Sequence, residues 1–236
     1  MSAPPPPVER LLDLGGLVAI VTGAGGTIGA GIAQRLQEAG AAVVAHRRDL
    51  GDVERDAAAI CAGAIESFGR LDILVNNAGI QPVAPLESIG NAELAEMFRV
   101  NVVGLAAMTR EAAALMTGRG GAIVNVASIE GLQPAFDHSH YAASKAAVIM
   151  HTRAAALELG PRGIRVNAVS PGVITTPFHD RYSTAEQLKA MQAMVPMNRL
   201  GSPDECAGTF LYLASDAASG YVTGQVIEVN GGQYMP

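Results

Sequence analysis

Six short apolar runs punctuate the chain, at residues 17–21, 41–45, 71–75, 122–127, 165–169 and 226–229, each the length of a buried strand. The stretches between them carry helical spacing instead. Ile28, Ile32, Ala33 and Leu36 share one helix face, with Gly40 as the stop. Residues 53–68 are alanine-rich, residues 87–117 hold a long helix or a helix pair with Asn101 among apolar neighbours, and the helix from Tyr141 runs to about residue 159, where Gly160-Pro161 ends it. A further short helix is predicted over 203–214. Strand alternating with helix, and strands apolar throughout, predict an α/β fold: a doubly wound parallel sheet with helices on both faces. Residues 1–10, with Pro4 to Pro7 in a row, read as a flexible extended tail, and 11–236 as one domain.

The polar residues sit where strands end. The first strand runs into Thr22-Gly23-Ala24-Gly25-Gly26-Thr27-Ile28-Gly29 and then a helix. Glycines let a backbone approach a pyrophosphate, and the helix N-terminus offers free N–H groups and the positive end of a dipole. The second strand ends in His46-Arg47-Arg48, and arginine there accommodates a 2′-phosphate, which favours NADP over NAD. The third ends in Asn76-Asn77-Ala78-Gly79, and the fourth delivers Ser128. Tyr141 and Lys145, four apart, fall on one helix face. A lysine charge beside a phenol is expected to lower its pKa, making an acid/base pair, with Ser128 polarising the oxygen that reacts.

Composition narrows the choice. A formal net charge of −6 with no basic patch argues against nucleic acid or an anionic membrane as partner. Cys61 and Cys206 are too few for a disulfide framework, no metal site is expected, and no apolar run reaches the length that spans a bilayer, so a cytoplasmic protein is expected. A metal centre built on His138 and His140 lacks neighbouring ligands. Phe178 to Met197 reads as a polar, mobile lid, and the polarity of Gln81, Glu130, Gln133, His138 and Tyr182 would suit a small polar substrate.

In this order, the glycine turn, Asn-Asn-Ala-Gly, a serine, Tyr-x-x-x-Lys and Pro171-Gly172 resemble the short-chain dehydrogenase/reductase family from about Leu14 onward. The resemblance implies a Rossmann-like fold and NAD(P)-dependent hydride transfer between a secondary alcohol and a ketone or aldehyde. It makes Tyr141 the acid/base, Ser128 the carbonyl anchor, Lys145 the partner of Tyr141 and of the nicotinamide ribose, and Asn101 the holder of a water relay. Thr22, Gly23, Gly26, Thr27, Ile28 and Gly29 would line the pyrophosphate; Arg47, Arg48, Asp49, Leu50 and Asn76, Asn77, Ala78 and Gly79 the adenosine and ribose; Pro171, Gly172, Ile174 and Thr176 the carboxamide. A homo-oligomer, tetramer or dimer, is also implied, packed through helices near 91–117 and 141–159 and the last strand.

Two departures stand out. Thr27 occupies a place where the family turn carries glycine. At Arg48-Asp49 the chain passes almost directly into the next helix, as if the edge strand and the helix before it had been removed. The second strand should then be an unprotected edge. The rival reading is a binding or scaffold protein on this fold whose cofactor affinity the shortening has impaired.

Overall fold

The computed structural model describes residues 6–47, 51–176 and 184–236. Among them, β1 (Val18–Val21), β2 (Ala42–Ala45), β3 (Ile73–Asn76), β4 (Gly121–Val126), β5 (Ile164–Pro171) and β6 (Val226–Val229) form one sheet in the order β2-β1-β3-β4-β5-β6, every pair parallel. The period of two along each strand sorts side chains to opposite faces. Ala19, Val21, Ile73, Val75 and Val124 pack with Ile32 and Leu36 of α1 (Thr27–Glu38) and Phe210 of a later helix, Pro203–Ala214. Val18, Ile20, Leu74, Ile123 and Val166 pack on the other side with Ala57 and Cys61 of α2 (Val53–Phe68), Met108 of the segment Leu105–Leu115, and Leu159. The sheet is therefore sandwiched, which is why its strands read as unbroken apolar runs.

Between β3 and β4 the chain forms α3 (Asn91–Phe98) and α4 (Leu105–Leu115), joined through a π-helical stretch, Arg99–Gly104. The expected helix or helix pair is thus one continuous column with a widened turn at Asn101. α5 spans Ser139–Leu159, beginning two residues earlier than its sequence signal. In the stretch expected to be a mobile lid, Ala185–Ala193 forms α6, closed at its start by a capping box between Thr184 and Gln187; Pro203–Ala214 is α7. Polar composition concealed that helix, because capping satisfies its first N–H groups without apolar periodicity. Phe178 and Tyr182 lie outside the described residues.

β2 pairs with β1 alone and is one edge of the sheet, partly exposed along its length. The edge strand and helix that the family resemblance would place beyond it have no counterpart among the described residues. α2 follows, capped by Asp52, whose carboxylate accepts from Arg55 N–H at 3.1 Å. Arg48, Asp49 and Leu50 lie outside the described residues. At the other end Val8–Arg10 forms an exposed 3-10 turn, and just after it the Leu11 carbonyl accepts a hydrogen bond from Ser215 Oγ, where the chain joins the body.

Candidate active site

The C-terminal ends of β1, β3, β4 and β5 converge on one rim, where parallel α/β sheets place ligands. The turn after β1 is fastened to the end of β3. Asn77 Nδ2 donates to the carbonyls of Thr22 (3.0 Å) and Gly23 (3.1 Å), while Thr22 Oγ1 accepts from the N–H groups of Asn77 and Ala78, both at 3.1 Å. Gly23 has φ +65° and its Cα faces Ala78 so closely that a Cβ would stand 2.7 Å from the Ala78 Cα. Gly29 is enclosed by Gly23 O and Asn77 Nδ2. Gly25, Gly26 and Thr27 are exposed, and the N-cap Gly26 makes no side-chain cap, so the first N–H groups of α1 open outward. Thr27 at the helix start therefore does not crowd the turn. Ile28 is half-buried against the core instead.

Asn76 is not displayed to a ligand by both its polar atoms. It is buried at the position paired with Asn125, and its Nδ2 donates to Asn125 Oδ1 (2.9 Å) and Thr109 Oγ1 (3.1 Å). Asn125 Nδ2 donates on to Thr152 Oγ1 at 2.9 Å, and that hydroxyl to Val148 O at 2.8 Å. This chain binds β3, β4, α4 and α5 together, and the sequence reading had no place for Thr109, Asn125 or Thr152. A lone asparagine inside the apolar run 122–127 was the available signal. Asn76 Oδ1 stays buried without a partner, and the residue helps line a cavity with Val53, Val100 and Met108.

Ser128 follows β4 and accepts from Glu130 N–H at 3.2 Å. Its hydroxyl also bonds the Tyr141 phenol. Lys145, only 5% exposed, donates from Nζ to Val126 O at 2.7 Å and lies 5.6 Å from the Tyr141 ring centroid. Asn101 Oδ1 accepts from Ile80 N–H at 2.8 Å, and its Nδ2 lies 3.0 Å from both Ile80 O and Ser144 Oγ. Its side chain thus ties the loop after β3 to α5. Gly79 is the meeting point, since a Cβ there would lie 3.2 Å from Asn101 Oδ1 and 3.7 Å from Lys145 Nζ. The π-helical widening that turns Asn101 inward carried no sequence signal.

The electrostatics correct one expectation. Burial pushes the Tyr141 phenol well above the ordinary tyrosine value; the Ser128 bond offsets part of this, and the Glu130 charge adds to it. Burial likewise drops Lys145 to about 8. Loss of solvent outweighs any help the ammonium gives the phenolate, because both groups are enclosed and Nζ is drawn to Val126 O. Pro171 ends β5, and Gly172 follows so close to Asn230 that a Cβ would be 2.6 Å from the Asn230 Cβ. Ile174 is buried and bridges Gly201, with half-buried Thr176 beyond it. Arg47 is exposed at the end of the edge strand.

Against known proteins, residues 51–233 match the family model described as enoyl-(acyl carrier protein) reductase. The chain belongs to the short-chain dehydrogenase/reductase family. It is 40% identical over 240 residues to cis-4-hydroxycyclohexanecarboxylate dehydrogenase of Sinomonas cyclohexanicum, covering 91% of this chain and 95% of that one. With L-rhamnose 1-dehydrogenase (NAD(P)(+)) of Sphingomonas it shares 37% over 203 residues, 85% of this chain and 79% of the relative. A crystal structure of a short-chain type dehydrogenase/reductase from Mycobacterium marinum superposes with a TM-score of 0.91 at 35% identity, over 98% of this chain and all of the other. The first alignment is longer than the whole 236-residue chain while using 91% of it, so that relative carries residues with no counterpart here. Membership makes the protein an oxidoreductase of the NAD(P)-using kind, and no described helix is long and apolar enough to cross a membrane.

Proposed function

We propose that the protein interconverts a secondary alcohol and its ketone, or an aldehyde, with Tyr141 as the acid/base and NADP as the favoured cofactor. The observation that carries this reading is the convergence of Tyr141, Ser128, Lys145 and Asn101 on one rim beside a glycine turn that has no room for side chains at Gly23 and Gly29. Thr22, Gly23, Gly26 and Gly29 with the start of α1 would hold the pyrophosphate, Lys145 the nicotinamide ribose, and Pro171 to Thr176 the carboxamide. The bound nicotinamide supplies or accepts hydride at the substrate carbon. Tyr141 Oη gives its proton to the substrate oxygen in reduction and takes it back in oxidation, and a phenol held neutral by burial is ready for the first. Ser128 Oγ fixes that oxygen. Lys145 keeps two ammonium protons beyond the one given to Val126 O, and Asn101 holds the loop carrying Gly79 against it.

Arg47 at the end of β2 supports NADP, and Arg48 follows it in sequence. The relatives act on chemically different alcohols by their names, a cyclic hydroxy acid and a deoxy sugar, so they leave the substrate open. A homo-oligomer packed through the helices of residues 91–117 and 141–159 and the last strand is supported by exposed Val103, Leu115, Met150 and Leu157 on those helices. We place the protein in the cytoplasm, where free thiols such as Cys61 and Cys206 persist.

The test is a fluorescence titration with NADPH and, separately, NADH on native protein and Tyr141→Phe. Micromolar binding to both proteins, with turnover of a carbonyl panel in the native protein alone, is the expected result. Turnover by Tyr141→Phe removes Tyr141 from its role, and binding of neither nucleotide favours the scaffold reading.

A further inference from the structure

The turn beside Tyr141 carries a carboxylate that the proton chemistry leaves unused. Glu130 lies two residues after Ser128 and its N–H donates to the Ser128 hydroxyl, so the carboxylate and the serine spring from one turn. The Glu130 side chain is 14% exposed and that of His138 18%. His138 Nδ1 stands 2.9 Å from Glu130 Oε2, but off the hydrogen-bond axis, and both atoms keep bonding capacity unspent. The other oxygen, Oε1, receives a long 3.4 Å bond from Gln81 Nε2. The loops bearing Gln81 and His138 are tied to each other by Ala84 N–H donating to Asp137 O at 3.0 Å. Asp137 holds that turn at φ 63°, a left-handed conformation aspartate tolerates better than most residues. The His138 ring meets the Tyr141 ring edge-on with centroids 6.3 Å apart, so the cluster borders the reacting position.

A largely desolvated carboxylate with idle lone pairs is costly unless a ligand completes its hydrogen bonds. We propose that Glu130 accepts a hydrogen bond from a second hydroxyl next to the reacting carbon, so that the preferred substrates are vicinal diols and the matching hydroxyketones. The inference rests on the alcohol–carbonyl reading above. Contact with Glu130 favours the protonated form of His138. Asp137 and Tyr141 are the other titratable groups beside it. The Glu130–His138 pair is then neutral overall, which suits a hydroxyl donor better than an ammonium group.

With saturating NADP+ or NAD+, kcat/KM is compared for butane-2,3-diol, butan-2-ol and 3-aminobutan-2-ol in the native protein, Glu130→Gln and Glu130→Ala. The diol should exceed butan-2-ol by about tenfold or more in the native protein, as one hydrogen bond to a charged group allows. Glu130→Ala should bring that ratio near unity, chiefly through KM for the diol, and Glu130→Gln should keep part of it because an amide oxygen still accepts. Equal use of diol and mono-alcohol, a ratio untouched in Glu130→Ala, or preference for the amino alcohol overturns the proposal. Should none of the three be oxidised, saturation-transfer NMR with cofactor present separates the two readings. Diol contact in the native protein that is lost in Glu130→Ala sustains the diol site although oxidation fails; no contact, or contact unchanged in Glu130→Ala, overturns the diol site and leaves the alcohol–carbonyl reading to be judged by the carbonyl panel above.

Discussion

Replacing Gly29 by alanine tests whether the glycine turn is as closely packed as described. The new Cβ would stand 2.9 Å from the Gly23 carbonyl carbon and nearer still to Gly23 O and Asn77 Nδ2. One neighbour is backbone; the other makes two hydrogen bonds that hold the turn to β3. Forced methyl groups in packed sites cost roughly 1–3 kcal/mol, and displacing Asn77 adds about 1 kcal/mol for each bond lost. A total of roughly 3–5 kcal/mol is expected, which for a chain of this size lowers Tm by roughly 6–20 °C. Thermal melts by circular dichroism read this directly. Gly26→Ser is the control. There a Cβ meets nothing nearer than 3.6 Å, and serine is a favourable N-cap, so stability should change by no more than a few tenths of a kcal/mol. The double variant Gly29→Ala/Asn77→Ala should lose less than the sum of its single variants, because Asn77 is one of the two obstacles. A Gly29→Ala protein that melts with the native one would refute the close approach, and with it the argument that this turn is shaped for a pyrophosphate.

Two further outcomes follow from buried charge. Lys145 sits near 8, below its unfolded value near 10.5, so the unfolded chain binds more protons between those pH values and stability rises with pH across that window. Lys145→Met should therefore be more stable than the native protein at pH 7, by about 2 kcal/mol after the lost Val126 bond is counted, with the gain fading towards pH 10.5 while cofactor binding falls; equal urea midpoints at pH 7 would contradict this. His138 runs the other way: its pKa is raised chiefly by its close contact with the Glu130 carboxylate, so the stability it contributes is full below about 6.5 and lost as pH rises through its folded value. His138→Ala should accordingly destabilise the protein at pH 6 more than at pH 9, and a pH-independent deficit in urea melts would disprove the ion pair.

What could be read from the residues alone was whatever depends on period and punctuation. Strands sandwiched by helices must be apolar on both faces, so β1, β3 and β4 announced themselves, and Gly40 and Gly160-Pro161 marked helix ends through backbone chemistry that needs no tertiary context. Side-chain direction was a different matter. Asn76 and Asn77 stand at a strand end where a ligand would lie, yet their amide nitrogens serve the sheet and the turn, because a buried amide must bond whatever is nearest. The Tyr141–Lys145 spacing correctly placed two side chains together. It could not reveal that burial would dominate both, since desolvation is set by everything packed around a group rather than by its sequence neighbours. The edge at β2 shows the same division. That the chain drops from the second strand almost straight into α2 was visible as a missing stretch of pattern, whereas the survival of the sheet depends on β1 and β3 already being paired in register and on both faces being covered by α1 and α2. An edge strand adds least to such a core, since it has one partner and partly exposed side chains. The sheet therefore tolerates losing a strand at that margin, while the rim of β3, β4 and α5, where Ser128, Tyr141 and Lys145 meet, sits at its centre, braced by the Asn76–Asn125–Thr152 chain.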